Sequence, residues 1–166
     1  YGENRNQSPA FELSVVGNGD PLALHRFSVV SGDPGFINMA DGDRALSVLC
    51  LLQEALKRHC PGKVPFIAIA CKHGNPCGAA IDWREPEVAV FKAMSGDPQA
   101  VMGAEVMVNF PVADKVADAI FSVPEHFRAA AGRRYWGPDV VFAPAFGEDA
   151  VALLGKRERR RLLASP

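Results

Sequence analysis

The chain alternates between short apolar runs of strand length and longer segments whose apolar residues recur at helical spacing. Apolar runs bounded by turn residues indicate strands, and apolar positions repeating every three or four residues indicate helices. The pattern predicts strands over residues 11–16, 22–30, 64–70, 101–108 and 140–143. It predicts helices over residues 41–60, 86–94, 113–121, 124–131 and 149–154. Strands that alternate with helices indicate an α/β layered domain with a mixed or largely parallel sheet.

Turn and cap chemistry refines these boundaries. Asp41 is a residue type that caps helix N-termini, so the first long helix is predicted to begin there. The Pro61-Gly62 pair is predicted to end it. Residues 74–78 contain two glycines and a proline, which predict a tight loop followed by helix rather than continued strand. The charged run over residues 156–161 is interpreted as solvated surface in preference to a binding patch.

Composition narrows the class of protein. The chain has 166 residues, of which 48% are hydrophobic and 22% charged, as in an ordinary globular domain. A net charge of −1 gives no global basic field for nucleic acid. We recognise neither an apolar run of membrane-spanning length nor a signal peptide. Four cysteines without a Cys-x-x-Cys pair are expected to be reduced and to serve packing. These features together predict a cytoplasmic protein without a membrane partner.

The candidate chemistry lies where a buried strand is predicted to end. Lys72 and His73 follow the apolar run 64–70, and ligands of open α/β sheets bind outside the carboxyl ends of strands. An imidazole can take a proton from a weak amine nucleophile near neutral pH. An adjacent ammonium can stabilise negative charge on a carbonyl-type oxygen or donate a proton. The alternative is a surface lysine and a loop histidine with no role. Cys77 is interpreted as a structural thiol in preference to a nucleophile.

Residues 72–78, Lys-His-Gly-Asn-Pro-Cys-Gly, resemble the Lys-His-x-Asn-Pro-Cys-Gly motif of the AICAR transformylase family. This family is the formyltransferase half of the bifunctional purine-synthesis enzymes. Five further stretches agree with the family in the same order, at residues 1–7, 37–45, 97–103, 139–144 and 161–163. The resemblance therefore spans nearly the whole chain.

The resemblance implies a fold and a reaction. Residues 1–166 would form one domain, the first of two cytidine deaminase-like subdomains, with a three-layer mixed sheet and helices on both faces. The 5-amino group of aminoimidazole carboxamide ribotide would attack the formyl carbon of the co-substrate 10-formyltetrahydrofolate, with no metal or redox cofactor. Zinc deaminase chemistry is not expected, because Pro76-Cys77 lacks the second cysteine of the Pro-Cys-x-x-Cys signature.

The resemblance also implies roles for individual residues. His73 would be the base on the attacking amine, and Lys72 would stabilise the oxyanion or protonate the leaving nitrogen. Four substrate-binding positions carry over from the family motifs: Tyr1, Asn38, Gly103 and Asp139. For Asp139 the alternative is a strand-flanking carboxylate in water.

Departures from the family pattern keep three functions open. Arg5, Asn6, Gly74 and Met102 replace residues usual in the family, and its second subdomain, which completes the catalytic and folate sites, does not follow residue 166. The first function is an AICAR transformylase completed by a complementary half or by homo-oligomerisation. The second is a non-catalytic nucleotide-binding or regulatory subunit. The third is a formyltransferase for a related amine.

Overall fold

The computed structural model describes residues 1–4, 6–11, 13, 19–131 and 137–166. In this part of the chain, six strands form one sheet in the order β1-β6-β5-β4-β2-β3. The strands are β1 (Ser28–Ser31), β2 (Phe66–Lys72), β3 (Asn75–Asp82), β4 (Glu105–Val108), β5 (Val140–Ala143) and β6 (Arg161–Ala164). The β4–β5 and β5–β6 pairs are parallel, whereas β1–β6, β2–β3 and β2–β4 are antiparallel. The prediction of a mixed sheet is confirmed.

Helices cover both faces of this sheet. A 3₁₀ turn, Leu24–Arg26, and four α-helices are present among the described residues: α1 (Phe36–His59), α2 (Pro86–Ser95), α3 (Asp114–Ala131) and α4 (Glu148–Gly155). On one face, Leu49 of α1 packs with Ile69 and Phe142 of the sheet. On the other, α2, α3 and α4 pack against Val106 and its neighbours. None of the helices in the described ranges is both long and apolar enough to cross a membrane.

The motif segment forms a β-hairpin, so the prediction of a loop followed by a helix is wrong. Strands β2 and β3 pair antiparallel up to Lys72 and Asn75, which leaves only His73 and Gly74 in the turn. Both have positive φ, 53° and 76°, as a two-residue hairpin turn of type I′ requires. Strand β3 lies at the edge of the sheet, where a proline such as Pro76 is tolerated.

Helix α1 begins five residues earlier than predicted. It starts at Phe36 and ends at His59, so Asp41 is a buried residue inside the helix and not its N-cap. The N-terminal turn is instead capped by Asn38, whose Oδ1 accepts a hydrogen bond from the Gly35 N–H at 3.0 Å. The end of the helix before Pro61 agrees with the prediction. The side chain of Asp41 is therefore available for a different contact.

Other boundaries differ where tertiary structure overrides local pattern. The two helices predicted over 113–121 and 124–131 form one helix, α3 (Asp114–Ala131). Residues 22–30 hold a 3₁₀ turn and only the start of β1, and the predicted strand over 101–108 begins at Glu105. The strands predicted over 64–70 and 140–143 and the helices predicted over 86–94 and 149–154 are confirmed to within two residues. The strand predicted over 11–16 lies mostly outside the described residues.

Candidate functional site

A cavity of about 300 Å³ lies where the end of β2 meets the starts of β4 and β5 and the first turns of α1. It is lined by Tyr1, Glu3, Gly35, Ile37, Asn38, Asp41, Lys72, His73, Gly103, Glu105, Asp139, Arg159 and Arg161. All six residues predicted for the site border this one cavity, although they come from five separate stretches of the chain. Their roles stay predictions, but their proximity is what those roles require.

The turn that carries His73 is held from below by Asp41. Asp41 Oδ2 accepts a hydrogen bond from the His73 backbone N–H at 2.9 Å, and its Oδ1 accepts one from the Gly74 N–H. A carboxylate that binds two consecutive amides fixes the turn, because both amides must point the same way. Helix α1 thereby holds the Lys72–His73 pair at the edge of the cavity, with the His73 side chain exposed.

A second carboxyl group, Glu105, lies deep in the cavity wall. Its side chain is 2% exposed, and Oε1 accepts a hydrogen bond from Asn38 Nδ2 at 2.8 Å. Burial raises the pKa of Glu105 to about 8; the Asn38 hydrogen bond opposes this rise, whereas the nearby carboxyl groups of Asp41 and Asp139 reinforce it. Glu105 is therefore predominantly protonated at neutral pH and can donate a hydrogen bond.

Lys72, Gly103 and Asp139 meet on the opposite wall. Lys72 Nζ donates a hydrogen bond to the Met102 carbonyl. Gly103 has φ of 74°, and a Cβ at this position would lie 3.7 Å from Asp139 Oδ2 and 3.9 Å from Lys72 Nζ. These distances are ordinary van der Waals contacts, so glycine is favoured here by the positive φ and not by lack of space. Asp139 Oδ1 also accepts a hydrogen bond from Arg157 Nη2 at 3.0 Å, so it is ion-paired rather than simply hydrated.

Arg159 and Arg161, just before and at the start of β6, complete the rim of the cavity. The interpretation of residues 156–161 as solvated surface is wrong for Arg160 and Arg161. Arg160 and Arg161 are 3% and 6% exposed, because their guanidinium groups bind backbone carbonyls. Arg161 Nη2 donates to the Tyr1 hydroxyl at 2.8 Å, and its Nε donates to the Asp33 carbonyl at 3.1 Å. Burial lowers the pKa of Arg160 to about 10. Arg159 is exposed at the cavity mouth.

None of the four cysteines lines this cavity. All four cysteines are free thiols. Burial raises the pKa of Cys71 to about 12 and also raises that of Cys77, which disfavours a reactive thiolate at either position. Among the described residues, no group of three or more His, Cys, Asp or Glu side chains is placed to hold a metal ion.

Three residues of this site were not predicted from the sequence: Asp41 as a turn clamp, Glu105, and Arg161. Glu105 carried one signal, since a glutamate at the head of the apolar run 105–108 is unusual in a buried strand. Together the cavity offers an imidazole, an ammonium, a neutral carboxyl and a basic rim. Such a set of groups can bind an anionic ligand and move protons at a nitrogen or oxygen atom.

Sequence comparisons agree with the motif resemblance. A family model described as "AICARFT/IMPCHase bienzyme" matches residues 1–166. "Bifunctional purine biosynthesis protein PurH" of Lacticaseibacillus casei is 29% identical over 163 residues, which cover 98% of this chain and 27% of the relative. The protein of the same name from Listeria monocytogenes serovar 1/2a is 29% identical over 170 residues, covering 100% of this chain and 28% of the relative. The chain therefore spans little more than a quarter of the curated relatives that it matches.

Proposed function

Because the chain belongs to the AICARFT/IMPCHase bienzyme family, we propose that it acts in purine biosynthesis, in formyl transfer from 10-formyltetrahydrofolate to aminoimidazole carboxamide ribotide. The observation that carries this proposal is the meeting of Lys72 and His73 with the four family-matched binding positions at one cavity. A purely structural Lys-His pair would have no reason to share a cavity with Tyr1, Asn38 and Asp139.

The chemistry follows from the groups present. The 5-amino nitrogen attacks the formyl carbon, a new C–N bond forms, and the bond from the formyl carbon to N10 of the folate breaks. His73 takes the proton that the attacking nitrogen loses, and Lys72 supplies a proton to the leaving N10. The hydrogen bond from Lys72 Nζ to the Met102 carbonyl holds the Lys72 side chain at the cavity. This hydrogen bond breaks when Lys72 moves to donate its proton to N10. Asn38 and Asp139, which line the same cavity, orient the nucleotide.

We also propose that residues 1–166 are the first of two cytidine deaminase-like subdomains, and that a complementary half or a second copy completes the site in the cytoplasm. Helices on both faces of the mixed sheet support this fold. The need for a partner is supported by the fraction of each relative that the chain spans. It is also supported by exposed apolar side chains. Ile37, 43% exposed, borders the cavity, and Val29 and Phe36, 52% and 61% exposed, line a neighbouring groove that shares Tyr1 with it.

Formyl transfer to the ribotide tests the proposal directly. The chain, alone and with the complementary half of a PurH relative, is assayed beside His73→Ala and His59→Ala. His59 is an exposed histidine at the end of α1, so its loss controls for the removal of an imidazole far from the cavity. We expect His73→Ala to lose about a hundredfold or more in rate, as for a missing general base, and His59→Ala to keep the parent rate. Equal rates for all three proteins would refute the role of His73.

A nucleotide-binding subunit without turnover is the second candidate, favoured by the contact that occupies Lys72 Nζ. It predicts that the ribotide binds this chain with unchanged affinity in His73→Ala, with no formyl transfer even when the complementary half is added. Calorimetric titration of the ribotide, run beside the transfer assay, separates the two functions.

A further inference from the structure

Two buried carboxyl groups meet beneath the Lys72–His73 turn. Glu105 of β4 is 2% exposed and Asp41 of α1 is 3% exposed, and their side chains lie within hydrogen-bonding reach of each other. Two ionised carboxylates so close in a buried place would repel strongly, because little water screens them. The pair therefore holds one proton between its two groups.

The surrounding contacts decide which of the two carries the proton. Both oxygens of Asp41 accept backbone N–H groups, from His73 and Gly74, so Asp41 is engaged as an acceptor on both sides. Glu105 Oε1 accepts a hydrogen bond from Asn38 Nδ2 at 2.8 Å, and burial raises the pKa of Glu105 to about 8. The proton therefore resides on Glu105, whose carboxyl donates to Asp41.

The other groups that face Glu105 leave this assignment intact. Asp139, at the start of β5, adds negative charge and so reinforces protonation. Cys71 of β2 and Cys77 of β3 also act on the same region, and burial raises the pKa of each thiol, which keeps both neutral. The cationic groups that line the same cavity are engaged elsewhere: Lys72 donates to the Met102 carbonyl, and Arg161 donates to the Tyr1 hydroxyl and the Asp33 carbonyl.

We propose that Glu105 is a positioning residue: its protonated carboxyl donates to Asp41, and this shared proton keeps the Asp41 carboxylate on the amides of the His73–Gly74 turn. Loss of the proton would place a second negative charge against Asp41 and loosen its hold on that turn. The turn would then no longer present Lys72 and His73 in one geometry. The effect of Glu105 on catalysis rests on the proposed function, because Glu105 lies in the same cavity. The hydrogen bonds that link Glu105, Asp41 and the turn can be tested without that function.

Nuclear magnetic resonance of the backbone amides tests the chain of contacts. We would follow the His73 and Gly74 N–H resonances from pH 6 to pH 9.5 in the parent protein, Glu105→Gln and Glu105→Leu. Glutamine has the shape of a protonated glutamate and can still donate to Asp41 and accept from Asn38. Leucine keeps the volume but removes both hydrogen bonds. Titrations of other groups are common to the three proteins and cancel in the comparison.

We expect the parent amides to shift with a midpoint near pH 8, the glutamine variant to stay at the parent's low-pH positions throughout, and the leucine variant to differ from both at every pH. The proposal is overturned if the parent amides do not move in this range, or if Glu105→Gln titrates as the parent does. If Glu105→Leu does not fold, the comparison of parent with glutamine decides alone.

The transfer assay then connects the turn to function. With the complementary half present, we expect the parent rate to fall about tenfold per pH unit above the midpoint, and the Glu105→Gln rate to lack that fall. Identical pH profiles would overturn the positioning role. If no protein transfers formyl groups at any pH, the proposed function fails, while the amide titration still decides whether Glu105 positions the turn.

Discussion

Glu105 should make the stability of the fold depend on pH in the direction opposite to that of most carboxyl groups. Its pKa is about 8 in the folded chain, against 4.5 for an unperturbed glutamate. Between these values the folded state holds a proton that the unfolded state has released. The stabilisation is therefore complete below the unfolded pKa, declines as pH rises, and is lost once the pH passes the folded pKa.

The size of the effect follows from the width of this window. Each pH unit within it lowers the free energy of unfolding by about 1 kcal/mol, so the change from pH 5 to pH 7 is on the order of 2–3 kcal/mol. Glu105→Gln has no proton to release, and its amide preserves the contacts with Asn38 and Asp41. The stability of the parent relative to this variant should therefore fall by the same amount over those two pH units.

Urea unfolding followed by circular dichroism, at each pH from 4 to 9, measures this difference. Contributions from histidines and other carboxyl groups cancel, because both proteins contain them. A parent-minus-variant difference that stays constant within about 0.5 kcal/mol from pH 5 to pH 8 would show that Glu105 is ionised in the folded state. The shared proton with Asp41 would then not exist, and the reasoning that links the two carboxyl groups would be refuted.

Two further predictions concern the hairpin and α2. A Cβ at Gly78 would lie 2.0 Å from the Ala93 carbonyl oxygen, so Gly78→Ala should destabilise the fold by about 1–3 kcal/mol in urea unfolding. Gly155 has open space around it, so Gly155→Ala should not destabilise the fold. Equal urea midpoints for the two variants would contradict the close packing of Gly78 against α2. A hydrogen bond from Lys92, together with two backbone amides, lowers the pKa of Asp82 to about 2. The stabilisation that ionised Asp82 contributes is present above pH 3.8 and is lost as the pH falls toward 2. In Asp82→Asn, the free energy of unfolding should therefore depend less on pH between 3.8 and 2 than in the parent. The same pH dependence in both proteins would contradict this role of Asp82.

The sequence predicted those elements whose formation depends on local pattern. Strand β5 is a continuous apolar run, and α2 begins at Pro86, a residue suited to the first turn of a helix. The hairpin was not predicted because proline and glycine, here Pro76 and Gly78, usually interrupt strands. They are accommodated here by position in the fold: β3 is an edge strand, and Gly78 lets α2 approach its backbone. Such reasons arise from contacts between distant segments, which no local pattern records.

The candidate site divides in the same way. Lys72 and His73 stood out through a contiguous motif, and Tyr1, Asn38 and Asp139 through ordered matches to one family. Asp41 looked like a helix cap because its residue type suits that position. Its actual contacts, and the burial of Glu105 beside it, depend on where α1 passes the start of β4. That crossing is a tertiary contact, so the carboxyl pair could be found only in the structure.

The order of strands also constrains how the molecule is made. Strand β1 reaches the sheet by pairing with β6, and Arg161 of β6 binds the Tyr1 hydroxyl across 160 positions of sequence. On the ribosome, Tyr1, Lys72 and His73 leave the exit tunnel long before Arg161 does, since synthesis proceeds from the N-terminus. In the nascent chain, β1 therefore stays without its partner strand, and the cavity stays open, until β6 emerges. We expect this intermediate to be a chaperone substrate during translation.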